Sequence, residues 1–229
     1  NNTIANNIIS SNNICGIYLW YSSNTIANNT VSNNHNGIRL WYSNNNIIAN
    51  NIVSSNNYDG IHFWHSSKNI IANNNASNND DGIHLSHSSN NTIYNNNASN
   101  NVYGITLWDS SKNIIYLNNF IDNTNQVYSY KSTNIWNSTE KITYTYNGKQ
   151  YTNYLGNYWS DYTGSDEDRD GIGDTPYSID GDKDNYPLME RFENYFGGVE
   201  EEYNPKLSIP DIAPLQESGY VGTTFQFVF

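Results

Sequence analysis

The 229-residue sequence predicts an all-β fold, a parallel β-helix whose coils are about 22 residues long. Three observations predict the stacked parallel coils. Gly-Ile dipeptides recur at Gly16, Gly37, Gly60, Gly82 and Gly104, at intervals of 21, 23, 22 and 22. A second column keeps the same step at Ile4, Ile26, Ile48, Ile71, Ile93 and Ile115. A fixed period of this size marks a solenoid, in which each unit buries its apolar face only against its neighbours. Third, the residues after each Gly alternate apolar with polar, as in Gly-Ile-Tyr-Leu (16–19), Gly-Ile-Arg-Leu (37–40) and Gly-Ile-His-Phe (60–63). That period of two belongs to strands. A helical solenoid needs apolar residues at three- and four-residue steps, which the Asn-rich intervals lack.

Within residues 1–125, which form the repeat, 37 positions are Asn. They fall in columns. Asn7, Asn29, Asn51, Asn74, Asn96 and Asn118 hold one place in every coil, where the chain must turn. Asn tolerates the left-handed backbone of a bend, and its amide can donate to the same amide one coil on. This column is expected to be an architectural ladder.

Residues 126–196 are expected to be terminal coils, a hairpin and an acidic cap. The run 142–146, the dipeptide Asn147-Gly148 and the run 149–154 read as a β-hairpin closed by a tight turn. An open solenoid end exposes strand backbone and apolar core, so a closing element of different sequence is expected.

The sharpest chemical motif follows. Asp166, Asp168, Asp170 and Asp174 stand at places 1, 3, 5 and 9 of a calcium loop, with Gly171 at place 6 and the carbonyl of Ile172 at place 7. Tyr177 occupies the twelfth place, where an EF-hand has Glu, and no helical pattern flanks the loop. Asp180, Asp182 and Asp184 are the candidates to complete the seat or to form a second one. The expected cofactor is calcium.

Residues 197–229 read as a Pro- and Glu-rich linker leading to the alternating strand 220–229, which would open a following domain or be donated to a neighbour. Both ends look cut, as in a fragment of a longer polypeptide. No stretch is apolar enough to span a membrane.

The repeat phrases together with 134–137, 154–162, 170–177 and 184–189 resemble NosD-type β-helix domains over about residues 1–190. The resemblance implies the right hand of the helix, an exported location and a place in surface proteins of the kind abundant in methanogenic archaea. It also brings a copper-handling role, which the residues must support on their own because one fold hosts many functions.

The candidates for copper are His62 and His65, which recur one coil later as His84 and His87. Imidazole suits such metals. The same columns carry Tyr18, Tyr21, Arg39 and Tyr42 elsewhere, as a stacking ladder would, and a three-residue offset on a strand turns the members of each pair to opposite faces. Trp20, Trp41, Trp64 and Trp108 form an outward column interrupted by Ser86, facing another protein surface or sugar rings. The acids of the repeat, Asp59, Asp80, Asp81, Asp109 and Asp122, lie mostly at turns, and no pair shares a strand face in adjacent coils as acid–base catalysis requires; Asp59 and Asp81 stack, but beside the Gly bend.

The formal charge of −12 makes nucleic acid an unlikely partner, and ten of the 22 acids lie between Asp161 and Glu190. Cys15 is the sole cysteine, so the chain forms no internal disulfide. Sequons at Asn1, Asn28, Asn75, Asn90, Asn97 and Asn137 suit a glycoprotein. The sequence therefore points to a non-enzymatic structural or adhesive module of a cell-surface or extracellular assembly, such as an archaeal surface layer, stabilised by calcium. Its partners would be other copies of itself or other surface proteins. A carbohydrate-binding or carbohydrate-processing module is the alternative, and copper handling the third reading.

Overall fold

The computed structural model describes residues 2–196; the linker and strand expected over 197–229, and the sequon at Asn1, lie outside the described residues. The two runs of strand pattern in each coil become three strands. Thr3–Ala5, Thr25–Ala27, Ile47–Ala49, Ile70–Ala72, Thr92–Tyr94 and Ile114–Tyr116 pair in parallel as a first sheet. A second contains Ile8–Ser10, Thr30–Ser32, Ile52–Ser54, Asn75–Ser77, Asn97–Ser99, Asn119–Ile121 and Tyr158–Trp159. The third contains Cys15–Trp20, Asn36–Trp41, Ile61–Trp64, Asp81–Ser86, Tyr103–Trp108 and Asn125–Tyr130. Each sheet takes one strand from every coil, which makes the fold a parallel β-solenoid of about six turns.

Register follows the repeat. Ile4, Ile26, Ile48, Ile71, Ile93 and Ile115 pair in sequence up the first sheet, and from Ile26 onward they are wholly buried. Ile38, Ile61, Ile83 and Ile105 form the matching column of the third. Burying one such side chain contributes roughly 2 kcal/mol, so the solenoid core rests on the two columns that define the period.

The bends use Asn in a division of labour that the sequence did not reveal. The residue in the left-handed conformation is the one before the ladder, at Asn6, Asn28, Asn50, Asn73, Asn95 and Leu117, with φ between 53° and 59°. The ladder residue does not adopt that conformation and contributes its side-chain amide. Nδ2 of Asn51 donates to Oδ1 of Asn74 at 2.9 Å, Asn74 to Asn96 at 3.0 Å and Asn96 to Asn118 at 2.9 Å. Nδ2 of Asn74 also donates to the carbonyls of Ile48 and Ala72, and its Oδ1 accepts the backbone N–H of Asn51. One amide thus satisfies several buried backbone groups that no strand can reach.

Two further ladders stand at the other corners. Asn34, Asn56, Asn79, Asn101 and Asn123 link the second sheet to the third, and Asn46, Asn69, Asn91, Asn113 and Asn134 link the third to the first. The glycines serve closeness, not a bend. None of the five Gly-Ile glycines has positive φ, but a Cβ on Gly82 would lie 2.7 Å from the carbonyl oxygen of Gly104 and 2.8 Å from Nδ2 of Asn101.

Residues beyond 130 close one end of the solenoid. Trp136 and Trp159 lie in the coil core beside Phe120, and Trp159 stacks on Phe120 with centroids 4.6 Å apart. The expected hairpin is present as Ile142–Tyr146 paired with Lys149–Asn153. A second antiparallel pair, Tyr177–Ile179 with Asp182–Asp184, was not foreseen. Tyr144, Tyr146, Ile172, Leu188 and Tyr195 form a second small core under the cap. Among the described residues no helix is long and apolar enough to cross a membrane.

Candidate functional site

The outer face of the third sheet carries most of the chemistry of the repeat. Alternation sends Ile61 and Phe63 inward, so His62 and Trp64 point out. Parallel pairing then stacks equivalent residues of successive coils. The column of Tyr18, Arg39, His62, His84 and Thr106 runs beside the column of Trp20, Trp41, Trp64, Ser86 and Trp108. At the following bend stand Tyr21, Tyr42, His65 and His87, each with φ between 46° and 50°.

The aromatic column at the bend, and Trp41 with Trp64 in the strand column, spend ring faces on one another. Trp41 and Trp64 stack at 5.3 Å with planes 17° apart. Tyr21 stacks on Tyr42 at 5.1 Å, Tyr42 on His65 at 4.8 Å, and His65 on His87 at 4.8 Å. Over these stacked members the outward surface is a ridge of ring edges, while Trp20 and Trp108 make tilted contacts with Tyr21 and with Tyr128 and Tyr130. Trp20 is 65% exposed and Trp108 44%, while Trp41 and Trp64 are half-buried by their neighbours. Arg39 adds to this packing, with its guanidinium 4.8 Å from the Trp41 ring centre.

Asp59 and Asp81, the two acids expected to stack beside the Gly bend, come together on a histidine. Asp59 and Asp81 both reach His84: its Nδ1 lies 3.2 Å from Asp59 Oδ1 and 3.1 Å from Asp81 Oδ2. The Gly beside each acid lets successive coils approach closely there. His62 stacks on His84 at 4.6 Å with planes 11° apart. Oδ2 of Asp59 is 2.9 Å from His62 Nδ1 but off the direction of a hydrogen bond, so both nitrogens of His62 are buried without a hydrogen-bond partner. The outlying pair stays apart from this cluster: His65 and His87 sit at the bend, and His87 Nδ1 is 4.0 Å from Asp109.

Burial raises the Asp59 carboxyl, yet the imidazoles of His62 and His84 beside it outweigh that effect and hold Asp59 well below the usual carboxylate range. Burial likewise lowers His84, but Asp59 and Asp81 together lift it to about 9.

In the cap, Asp166, Asp168 and Asp170 bring carboxylate oxygens within 4.8 Å of one another. Asp166 accepts the N–H groups of Asp170 at 3.1 Å and Gly171 at 2.9 Å, and Asp170 accepts that of Ile172 at 2.8 Å. Asp174 accepts from Glu167 N–H at 2.8 Å and from Ser165. Burial and the neighbouring Asp168 and Asp166 raise the Asp170 carboxyl.

The other three acids are not grouped with Asp166, Asp168 and Asp170, and each has its own donors. Asp180 accepts the N–H of Ser129, and Asp182 those of Asn134 and the Trp136 indole. Asp184 is fully buried and accepts from Asn157 N–H, Asn157 Nδ2, Trp159 Nε1 and Tyr186 N–H. Each seals the end of a ladder or sheet, a role no local spacing announces.

Stacked parallel strands, amide ladders and an outward ridge of rings define a parallel β-helix protein with a closed end. The chain belongs to the NosD family: residues 1–164 match the model described as periplasmic copper-binding protein (NosD). The match stops short of the 170–189 phrases. No curated protein matches the chain.

The family description raises copper, and the donors near His84 are of a suitable kind, imidazole nitrogen and carboxylate oxygen. Their arrangement fits poorly. An imidazole-bound ion lies in the ring plane about 2.0 Å from nitrogen, the distance typical of such metals, and the near-parallel rings of His62 and His84 share no such point. Two-imidazole coordination requires one ring to leave the stack.

Proposed function

We propose that this chain is a non-enzymatic structural and adhesive module of the cell envelope, with the ridge of the third sheet as its partner-facing surface. The stacking of Trp41 on Trp64 carries the reading. Sugars dock on exposed ring faces, whereas a rigid row of ring edges with exposed apolar ends suits a flat protein surface, either another copy or another envelope protein. Catalysis is disfavoured because Asp59 and Asp81 are both engaged by His84 and neither is a free general base. The envelope location rests on the family's periplasmic description, and an extracellular place on the cell surface is the finer form of the same proposal.

Calcium at Asp166, Asp168 and Asp170 completes the proposal, because a divalent cation would relieve three carboxylates held close together. Copper handling is the second reading, favoured by the family description alone.

The deciding experiment replaces Trp41 and Trp64 with Ser and follows assembly by sedimentation. Weaker association with an unchanged circular dichroism spectrum supports the docking ridge. Unaltered assembly, combined with loss of binding to a polysaccharide panel, transfers the surface to the carbohydrate reading.

A further inference from the structure

Two anionic oxygens from adjacent coils converge on one ring nitrogen, Nδ1 of His84. Such convergence is stable only around positive charge, either a proton on that nitrogen or a metal ion in its place. The surroundings distinguish these. The ring planes of His62 and His84 lie 11° apart and 4.6 Å from centre to centre, which denies an ion a point shared by both. The Asp59 carboxylate spans the stack, with Oδ2 toward His62 and Oδ1 toward His84. Thr106 of the next coil pairs with His84 on the other side and is itself buried, which leaves the ring partly open only toward solvent, at 23% side-chain exposure.

We propose that Asp59, His84 and Asp81 form an ion-pair clasp between two successive coils, in which a proton on His84 occupies the place a metal would need. The family description speaks of copper; this cluster is built to keep it out.

The carboxylates around His84 share one sign, and the other titratable group against it is the stacked imidazole of His62. Asp59 and Asp81 are in contact with it, and Asp80 adds a third negative charge nearby. Arg39 lies beyond His62 in the column and turns its guanidinium onto Trp41. The clasp therefore sits in a negative field that favours the imidazolium, in line with the lift of His84 to about 9. A metal ligand must first be deprotonated, so at neutral pH copper competes with a firmly held proton.

The test uses the full chain, labelled with 15N, and reads the His84 ring by NMR. The clasp predicts a doubly protonated ring at pH 7.5, titrating about two units above free imidazole. Asp81→Asn, which keeps the shape, is expected to lower that titration by at least one unit. One equivalent of Cu(II) at pH 7 is expected to leave the His62 and His84 resonances in place. Three results would each overturn the proposal: a neutral His84 at pH 7.5, a titration unmoved by Asp81→Asn, or a tightly bound equivalent of Cu(II) lost in both Asp81→Asn and His84→Gln.

Discussion

Asn157 ends the longest amide ladder on Asp184: its Nδ2 and its backbone N–H both donate to Oδ2 of that buried carboxylate, at 3.3 and 2.8 Å. From Asn7 to Asn157 every amide points the same way, Nδ2 to the next Oδ1. The row of dipoles therefore presents its positive end to the cap. A carboxylate answers it for the reason an acid stabilises a helix N-terminus.

Asp184→Asn is the first test of that ending. It puts an NH2 group among four donors, so one buried donor loses its acceptor at a cost of about 2 kcal/mol. Burial raises Asp184 to about 6 despite those donors, which means the folded state favours the neutral acid. The stability it contributes is then complete below the unfolded value near 3.8 and is lost as pH rises through about 6. Wild type should gain stability on acidification from pH 7 to 4, by up to ~3 kcal/mol from this group. Denaturant melts across that range should show the gain absent from the variant; parallel curves would refute the assignment.

Neighbouring Asn residues give the second test. Asn74→Ala removes an amide that holds Asn51, Asn96 and two carbonyls, and should cost roughly 3 kcal/mol by stranding buried groups. Asn75→Ala, one residue on and exposed, should stay within about 0.5 kcal/mol. Equal effects at the two sites would mean that the ladder does not carry the coil.

The period, the strands and one ladder were legible because each needs only a column of like residues at a fixed step. The ladders of Asn34 to Asn123 and Asn46 to Asn134 obey the same step and were available to the same search. The left-handed positions were harder: His65, Leu117 and Tyr42 adopt positive φ although their side chains give no hint of it. The stack of neighbours fixes the backbone there and overrides local preference. The roles of Asp180, Asp182 and Asp184 were hidden for a different reason. They depend on contacts with residues from 25 to 51 positions away, which no spacing along the chain encodes. The convergence of Asp59 and Asp81 on His84 similarly required knowing how closely the coils approach at Gly60 and Gly82.

The third prediction concerns alkaline pH. His84 is raised in the folded state, so its stabilisation is complete below the unfolded value of 6.5 and disappears as pH rises through about 9. Wild type should lose on the order of 3 kcal/mol between those limits. In His84→Gln that slope should flatten, leaving the variant closest to wild type at pH 9.5. A pH dependence in this window that survives the substitution would assign the slope to other groups and dissolve the clasp.

The last prediction is the calcium of the cap. Asp166, Asp168 and Asp170 lie on a loop joined to the small core through Tyr144, whose hydroxyl donates to the Asp170 carbonyl at 2.9 Å, and through Tyr195, which donates to the Gly171 carbonyl. A cation held there would tie the cap to the end of the solenoid. An ion bound only by the folded state stabilises it by about 2.7 kcal/mol at one hundred times its dissociation constant. Excess chelator should therefore lower the melting temperature of the whole chain, and calcium, but not sodium at equal ionic strength, should restore it. Asp168→Asn should abolish the response while leaving the chelated baseline almost unchanged, because Asp168 is exposed and the hydrogen bond it accepts from Asp170 N–H is long at 3.4 Å. Identical melting curves with chelator and with calcium would remove the ion from the proposed function and leave these three acids as a solvated loop held by its own backbone N–H groups.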